Sequence, residues 1–477
     1  MKCYDKYISR DIVEAIHAES MAVLETVGIK IENSQALEIL KKHGARVEGD
    51  IVFMNQKMVD EAVLSSPSAF EMYSSKGNLQ VGGGSRITMP AASSIYIEDD
   101  GNIRKMTNQD VLNVFKLSTT SKEIGYQFIN FFPDMQHFTK EQKIFSQEAV
   151  LLKYSHQAGH ICPNIFAAEL DEVQEITRKS VDLIRKFEGV EDRYLNLMGV
   201  NSLSPLCYDR STIDKLIVFC EENQPVWMTP CGMPALTTPP SLLSTMALTN
   251  AEVVAGLVLA QMIRPGVPVV YGNTSGSTNL RTVQLSIGAP ETALMAYASV
   301  AMADYYKIPC RTGGCLSDAK DVDYQSGAES MLVMNATLEA GADLILHACG
   351  IMGSFNVTSL EKFLLDEEAI SYSRRMLAGF DAAPEKAFLK EIQKSGPRGN
   401  YMSGRTPKSY RDEFILPKYF NKQDPNEWQN NGSVSLKTSV KAAVSERLNS
   451  YTAPQITKEQ NDLIKDYLPA EFRDSIE

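Results

Sequence analysis

The amino-acid sequence predicts an α/β fold, a (β/α)8 TIM barrel with additions at both ends. Seven short apolar runs in the middle of the chain each end in polar or small residues, and each is followed by a segment of helical length. Strands this apolar are buried on both faces, and their alternation with helices indicates a parallel sheet with right-handed crossovers. One further unit is needed to complete a barrel, and the sequence does not locate it. The seven runs are 125–132, 159–166, 193–201, 224–231, 266–273, 307–314 and 342–350.

The sequence around the barrel changes character along the chain. Apolar residues such as Ile12 and Ile16 recur at helical spacing near the start. Lys76-Gly77 and Asp100-Gly101 then join short alternating runs, as in β-hairpins. The predicted regions are an N-terminal helical cap at 1–65, a small β element at 66–105, the barrel core at 106–380 and a C-terminal helical and loop extension at 381–477.

Composition excludes several classes of function. The chain has 477 residues, of which 44% are hydrophobic, as is usual for a soluble enzyme. Its formal net charge of −12 opposes binding to nucleic acid or to an anionic membrane, because both need clustered Lys and Arg. The eight cysteines form no repeating framework, and no secretory signal or run of about 18 apolar residues is present. We therefore expect reduced thiols and a cytoplasmic protein.

Polar side chains follow the last four predicted strands directly. These side chains are Cys231, Asn273, Arg311 and His347. In a parallel barrel the carboxyl ends of the strands lie on one face, where the βα loops converge over a packed interior. The sequence therefore predicts that a functional site forms at these strand ends.

Four stretches of the sequence, together with the N-terminal region that contains HAESMAVLETVGIKIENSQ, resemble one known family. They are NSLSPLCYD (201–209), YGNTSGSTNLRT (271–282), CRTGGCLSDAKDVDYQSGAES (310–330) and HACGIMGSF (347–355). Their order and extent resemble the trimethylamine methyltransferase family over nearly the whole chain. The resemblance implies a (β/α)8 barrel that takes a methyl group from an amine and gives it to the cobalt of a separate corrinoid protein.

The sequence departs from the trimethylamine-specific members of that family in one defining feature. Those members carry the amber-encoded residue pyrrolysine, whereas this sequence contains only the standard twenty amino acids. It resembles instead the pyrrolysine-free branch, whose known members demethylate quaternary amines. Glycine betaine, which would give dimethylglycine, is the first candidate substrate, because Arg311 and the candidate aromatic residues recur on loops that should crowd one small cavity. Proline betaine, carnitine and γ-butyrobetaine are the alternatives.

Demethylation of a quaternary ammonium needs few acid or base groups. When cobalt(I) displaces a tertiary amine, the leaving group is neutral and no proton need be supplied, so the protein's task is to orient the cation. Because a quaternary ammonium has no N–H group to donate, aromatic rings are suitable receptors, each contributing about 0.5–2 kcal/mol. The candidate substrate-binding rings are Tyr96, Tyr208, Tyr271 and Phe355.

A betaine also carries a carboxylate, for which a planar guanidinium is the best-matched receptor. Arg311 follows an apolar run directly and should lie at the barrel mouth, although an ion pair with Asp318 is the alternative. His347 is the candidate catalytic residue, able to bond the substrate carboxylate or a corrinoid-bound group; a purely structural histidine is the alternative. Asn201 and Asn273 could bond a carboxylate oxygen or, as is common at strand ends, cap the next helix.

The expected partners follow from the resemblance and from a missing motif. The corrinoid-binding signature Asp-x-His-x-x-Gly does not occur, and none of the six histidines fits it. The corrinoid (cobalamin) should therefore be carried on a partner protein or supplied free, with no tightly bound cofactor, and the barrel mouth should be open to it. The resemblance also implies a homo-oligomer. No nucleic acid and no membrane are expected as partners.

Two other classes of function stay open. A betaine-binding module without catalysis would use the same rings and Arg311. A zinc-dependent methyltransferase would use the thiols of Cys310, Cys315 and Cys349, although no paired C-x-x-C motif or His at ligand spacing supports a metal site, and we expect none. An aldolase-like acid–base enzyme is weaker, because Lys320 is the only lysine close to a strand end.

Overall fold

The centre of the molecule is a parallel sheet. The computed structural model describes residues 2–159, 162–402 and 404–476, and within them six short, mostly buried strands form this sheet. Every pairing between neighbouring strands is parallel. In order across the sheet, the strands are Ile87–Thr88, Leu344–Leu346, Cys310–Gly313, Val269–Gly272, Val226–Thr229 and Met198–Asn201.

Five of these strands lie inside predicted apolar runs, and Ile87–Thr88 is the unit that the sequence did not locate. It pairs with the strand Leu344–Leu346 at one edge of the sheet, with Ile87 opposite Leu344. A strand of two residues is too short to give an apolar-run signal. Because it lies between two hairpins, the region 66–105 contributes a strand to the main sheet as well as antiparallel structure.

The run 125–132, predicted as a strand, forms only an extended segment. Tyr126 N donates a hydrogen bond to Thr88 O at 3.2 Å. Gln127 forms a single parallel bridge with Gly159. The prediction of a regular strand is wrong for this run, because one bridge does not make a ladder of hydrogen bonds.

The run 159–166 is likewise not a strand in the residues that the structure describes. Pro163 has no backbone N–H group to donate to a neighbouring strand, and Ile165–Ala167 is a 3-10 helix. His160 and Ile161 lie outside the described residues. The described sheet therefore has six regular strands, where the predicted barrel has eight.

Helices alternate with the parallel strands and extend the chain at both ends. Side-chain caps determine where several begin: Asn33 Oδ1 accepts from Ala36 N, and Asp209 Oδ1 accepts from Thr212 N, both at 3.0 Å. The α-helices are Arg10–Thr26, Ser34–Lys42, Gln56–Ser65, Asn108–Thr119, Lys140–Tyr154, Val173–Glu188, Arg210–Glu221, Leu242–Ile263, Pro290–Tyr306, Tyr324–Ala340, Leu360–Leu377, Leu389–Ser395, Lys408–Glu413, Pro425–Asn430, Leu436–Asn449, Lys458–Ile464 and Ala470–Ile476. Short 3-10 helices are Cys3–Lys6, Ile165–Ala167, Leu170–Glu172, Pro384–Lys386 and Lys465–Tyr467.

One helix, Leu242–Ile263, is long and apolar enough by composition to cross a membrane. Of its apolar 18-residue window, 78% is buried inside the molecule. The helix packs against the N-terminal helices Arg10–Thr26 and Gln56–Ser65 and against the parallel strands. It is therefore a core helix of the fold.

Short strands pair the N-terminal region with a loop that follows a strand of the main sheet. Ile29–Ile31 pairs with Ile51–Phe53 on one side and, in parallel, with Cys207–Tyr208 on the other. Because Cys207–Tyr208 follows the strand Met198–Asn201, the N-terminal region is hydrogen-bonded to a loop at the carboxyl end of the sheet. The remaining strands are Arg46–Glu48, Ala69–Met72, Leu79–Gly82, Tyr96–Asp99, Asn102–Lys105, Ser277–Asn279, Gln284–Ser286, Ile351–Met352 and Val357–Ser359.

Candidate active site

A cavity of about 450 Å³ lies at the carboxyl ends of the parallel strands. Four of the six strands contribute residues to its wall, and the loops that follow the other two contribute Ala92, Ser93 and Thr274. The aromatic side chains that line it are Phe128, Phe131, Phe166, Trp227 and Phe355. The ionisable and amide side chains that line it are Gln147, Glu148, Cys162, Asn201, Lys215, Cys231, Arg311 and His347.

The register of the strands explains which side chains face this interior. Trp227 pairs with Val270, and both belong to the apolar cluster enclosed by the sheet. Arg311 pairs with Leu344, another member of that cluster. Directly paired residues project on the same face of a sheet, so Arg311 points to the interior. Its other neighbour in register is Gly272.

Arg311 is buried without a partner. Arg311 is only 2% exposed, and its Nε and Nη1 atoms have no hydrogen-bond partner among the described residues. Burial lowers the pKa of its guanidinium to about 10, which still leaves it protonated at neutral pH. The predicted alternative, an ion pair with Asp318, is absent there: the Asp318 carboxylate accepts from Ile287 N and Gly288 N at 2.9 and 3.0 Å. The cavity wall therefore contains an uncompensated cation.

His347 lies beside Arg311 as a neutral imidazole. Its Nδ1 accepts a hydrogen bond from Ala92 N at 3.2 Å, which assigns the ring proton to Nε2. Burial, with the nearby positive charge of Arg311, holds its pKa well below the usual value. The ring packs against Phe355 at 4.7 Å between centroids, and both residues have left-handed backbone, with φ of 59° and 71°. His347 can therefore donate one hydrogen bond from Nε2.

The two predicted asparagines have different surroundings. Asn201 ends the strand Met198–Asn201, is exposed and lines the cavity. Asn273 is buried beside the cavity, in a small hollow that also touches His347 and Phe355. Its Oδ1 accepts from Ser275 N at 2.7 Å, so this side chain holds the turn that follows its strand.

The structure does not bring the three predicted tyrosines into the cavity. Tyr271 is fully buried on the outer face of its strand, and its hydroxyl donates to Asn250 Oδ1 at 3.1 Å. Tyr208 is also fully buried, and its hydroxyl donates to Glu252 O at 2.9 Å. Tyr96 packs against Met352 and Val357 in a separate apolar cluster. Of the four predicted rings, Phe355 alone lines the cavity.

Four aromatic side chains that sequence reasoning did not select take the place of the tyrosines. Trp227 lies within a strand, two residues before the strand end, whereas Phe128 and Phe131 lie in the extended segment 125–132. Phe131 and Phe166 are in edge-to-face contact at 5.8 Å between centroids. Because Phe166 is 83% exposed, the cavity reaches the molecular surface at this ring. The aromatic content of the run 125–132 is the one sequence signal that could have indicated part of this wall.

Comparison with known proteins then identifies the family. The model of the trimethylamine methyltransferase (MTTB) family matches residues 3–473. The chain belongs to this family. It is accordingly a methyltransferase, as the resemblance of its sequence motifs implies.

Relatives within the trimethylamine methyltransferase family are similar over almost their whole length. An L-carnitine:corrinoid methyltransferase and a proline betaine:corrinoid methyltransferase, both of Eubacterium limosum, are 35% and 36% identical, each with 98% of both chains covered. A glycine betaine methyltransferase of Desulfitobacterium hafniense is 31% identical over 95% of this chain and 94% of its own. Among solved structures, the monomethylamine methyltransferase of Methanosarcina barkeri covers 95% of this chain and 99% of its own at 12% identity, with a TM-score of 0.46.

One family-like motif, NSLSPLCYD, forms a loop that a buried carboxylate holds. Glu252 Oε2 accepts from Ser202 Oγ and Ser204 Oγ at 2.5 and 2.8 Å, and its Oε1 accepts from Leu206 N at 2.7 Å. Glu252 lies in the core helix Leu242–Ile263. The loop that begins at Asn201 is therefore fixed to the helix layer behind the cavity.

The cysteines of this trimethylamine methyltransferase family member do not assemble a metal site in the part of the chain that the structure describes. No group of three or more His, Cys, Asp or Glu side chains there has an arrangement that could hold a metal ion. Cys310 faces the helix layer, and Cys315 and Cys349 are fully buried, where burial raises the pKa of each thiol well above its usual value. Cys231 lines the cavity as a thiol directed at Thr274 O, 3.7 Å away.

Proposed function

We propose that this protein transfers a methyl group from a carboxylate-bearing quaternary amine to the cobalt of a corrinoid held by a separate protein. The observation that carries the proposal is the unpartnered guanidinium of Arg311 inside an aromatic-lined cavity. Family membership supports the reaction class, and the names of the relatives support the quaternary amine and the corrinoid acceptor.

The carboxylate end of the substrate binds Arg311 and His347 in this proposal. Arg311 has free N–H groups at Nε and Nη1, and the neutral His347 has one at Nε2. A buried charge without a partner is strongly unfavourable, and a carboxylate with charge-assisted hydrogen bonds removes that penalty. Asn201, on the same wall, can donate a further hydrogen bond from its amide.

The ammonium end lies against aromatic rings. Trp227, Phe128 and Phe131 line the same cavity as Arg311, and Phe355 adjoins His347. Each ring face in contact with the cation contributes about 0.5–2 kcal/mol in a dry site. In this proposal the cation binds these rings instead of Tyr96, Tyr208 and Tyr271.

Methyl transfer requires orientation more than proton transfer. The N–CH3 bond breaks with its electron pair left on nitrogen, the product is a neutral tertiary amine, and cobalt(I) supplies the pair for the new bond. The protein holds the cation so that one methyl group points to the mouth of the cavity. Phe166, exposed at that mouth, marks where the corrinoid protein docks.

Glycine betaine is the first substrate to test, and carnitine, proline betaine and γ-butyrobetaine are the other members of the class. All four combine a quaternary ammonium with a carboxylate, so the same polar and aromatic walls serve each. The volume of about 450 Å³ supports inclusion of the larger betaines in the test.

We further propose that the extended segments near Gln127 and Gly159 complete the sheet as a closed (β/α)8 barrel. The backbone hydrogen bond from Tyr126 N to Thr88 O and the bridge between Gln127 and Gly159 support this closure. A homo-oligomer is the proposed assembly. Large apolar side chains that are exposed on the C-terminal extension support it; they include Leu389, Ile392, Tyr401, Met402 and Leu416.

A screen of methylated amines against cob(I)alamin tests the proposed function. Purified protein should form methylcobalamin, followed by its absorption spectrum, with at least one of the four betaines and not with trimethylamine. Tight binding of a betaine with no methyl transfer would instead indicate a binding module. Demethylation with no corrinoid present, or loss of activity on chelation of stoichiometric zinc, would contradict the proposed mechanism.

A further inference from the structure

A basic and an acidic side chain both line the cavity, and they do not form an ion pair with each other. Arg311 and Glu148 both contribute to its wall and are 2% and 1% exposed. Neither takes part in an ion pair within 4.0 Å among the described residues, and each leaves polar atoms without a hydrogen bond. A cavity that holds a separate cation and a separate carboxyl group is complementary to a zwitterion.

Glu148 has one carboxyl oxygen engaged and one unpartnered. Ser180 Oγ donates to Oε1, whereas the buried Oε2 has no partner in the part of the chain that the structure describes. A buried acceptor without a donor costs about 1–3 kcal/mol. A quaternary ammonium brings charge but no N–H group, so it can compensate such an oxygen electrostatically without forming a hydrogen bond.

The residue before Glu148 presents a second unpartnered acceptor. Gln147 Nε2 donates to Ile129 O at 3.1 Å, and this bond assigns the orientation of the amide. Its Oε1 is buried and has no partner among the described residues. The wall formed by Gln147 and Glu148 therefore presents unpartnered oxygen atoms, while Arg311 and His347 present N–H donors.

We propose that Glu148 is the counter-charge for the ammonium group of the substrate, and that its ionisation selects zwitterionic betaines. The proposal rests on the proposed function and adds a specificity-determining residue to it. Arg311 then binds the carboxylate and Glu148 the cation, so one molecule compensates both of these buried groups. The carboxyl proton of Glu148 is released to solvent when the betaine binds.

The surroundings of Glu148 determine how its ionisation depends on pH. Burial raises the pKa of Glu148 to about 8, against the opposing effects of the Ser180 hydrogen bond and of Lys179. Lys215 and Cys162 line the cavity nearby, and burial raises the pKa of the Cys162 thiol to about 11, so that thiol stays protonated. Below about pH 8 the empty protein therefore keeps Glu148 protonated. Since a bound cation favours the carboxylate, betaine affinity rises with pH until Glu148 is ionised in the free protein.

Calorimetric titration of the full-length protein with an accepted betaine tests this directly. At pH 7, titrations in two buffers of different ionisation enthalpy should report close to one proton released per betaine bound. The Kd should fall about tenfold between pH 6 and pH 7 and become constant above about pH 8. The isosteric variant Glu148→Gln should release no proton and show no such pH dependence.

Glu361→Gln is the matched control. Glu361 is also a buried glutamate whose pKa burial raises, but it does not line the cavity. This variant should keep the proton release and the pH profile of the wild type. If Glu148→Gln does not fold, the number of protons that the wild type releases on binding a betaine is sufficient to test the proposal.

Two outcomes overturn the proposal, and they are distinguishable. If the wild type binds a betaine without proton release and the Kd is unchanged in Glu148→Gln, then Glu148 does not bind the cation. The proposed methyl transfer is unaffected by that result. Failure of the wild type to bind any of the four betaines overturns the proposed function together with this inference.

Discussion

Arg311 and Arg447 are both largely buried arginines, but Arg447 has a carboxylate partner and Arg311 has none among the described residues. Arg447 Nη1 lies 2.6 Å from Glu367 Oε2. Arg311 keeps Nε and Nη1 unpartnered in the cavity wall. A buried charge without compensation destabilises the folded protein, so its presence indicates a site that an anion occupies during function.

Replacement of Arg311 should therefore separate stability from function. Arg311→Met removes an unpaired buried charge, and we expect the free energy of unfolding to rise by about 1–4 kcal/mol while betaine binding is lost. Urea unfolding and calorimetric titration measure the two effects. The control variant Arg447→Met leaves Glu367 unpaired and should lower the free energy of unfolding by about 3–5 kcal/mol. Equal destabilisation by both variants would contradict a substrate-binding Arg311.

At the scale of elements, two strands of the sheet approach each other closely beside Arg311. Gly272 lies opposite Arg311 in register, and a Cβ atom on Gly272 would come within 2.3 Å of Met228 O in the next strand. No rotation of a side chain can relieve a contact with backbone. The strand Val269–Gly272 therefore requires glycine at its carboxyl end.

The variant Gly272→Ala should force these strands apart. We expect the free energy of unfolding to fall by about 1–3 kcal/mol, because overpacking against backbone shifts the sheet, and the kcat/KM for the betaine to fall with it. Gly327 in the helix Tyr324–Ala340 is the matched control, since nothing lies within 4 Å of its added Cβ. Gly327→Ala should raise the free energy of unfolding by about 0.5–1 kcal/mol and leave kcat/KM unchanged. Thermal unfolding and steady-state kinetics of both variants check this.

The sequence indicates which residues lie at the strand ends, but it does not indicate which face of a strand each residue occupies. Arg311 and His347 could be selected because each follows an apolar run directly. Tyr271 could not be placed, because a strand buried on both faces shows no alternation of apolar and polar residues that would reveal its outward side. For the same reason, the sequence does not distinguish Trp227 from the other apolar residues of its strand. Glu148 lies within a helix, where no pattern of the sequence indicates that it meets the cavity.

The strands of the main sheet are also only partly predictable from the sequence. The five longer strands have enough consecutive apolar residues to be recognised, whereas Ile87–Thr88 is two residues long and is identified only by its pairing with Leu344–Leu346. Tyr208 follows a predicted strand closely, but it pairs with Ile31 of the N-terminal region instead of entering the main sheet. Long-range pairing of this kind leaves no local trace in the sequence.

At the scale of the whole molecule, the N-terminal region and the cavity are parts of one structure. Lys30 N donates to Leu206 O and Glu32 N donates to Tyr208 O, both at 2.9 Å. The loop that these bonds hold starts at Asn201 on the cavity wall. The N-terminal region therefore supports one wall of the cavity, while Phe166 is exposed at its mouth.

The most direct test of the central claim compares an accepted betaine with its alcohol analogue, which keeps the quaternary ammonium and lacks the carboxylate. For glycine betaine this analogue is choline. We predict that kcat/KM for methyl transfer to cob(I)alamin is higher for the betaine by about 10³-fold or more, because the alcohol leaves the guanidinium of Arg311 without its anion. Equal rates with the two substrates, or faster transfer from the alcohol, would contradict the account.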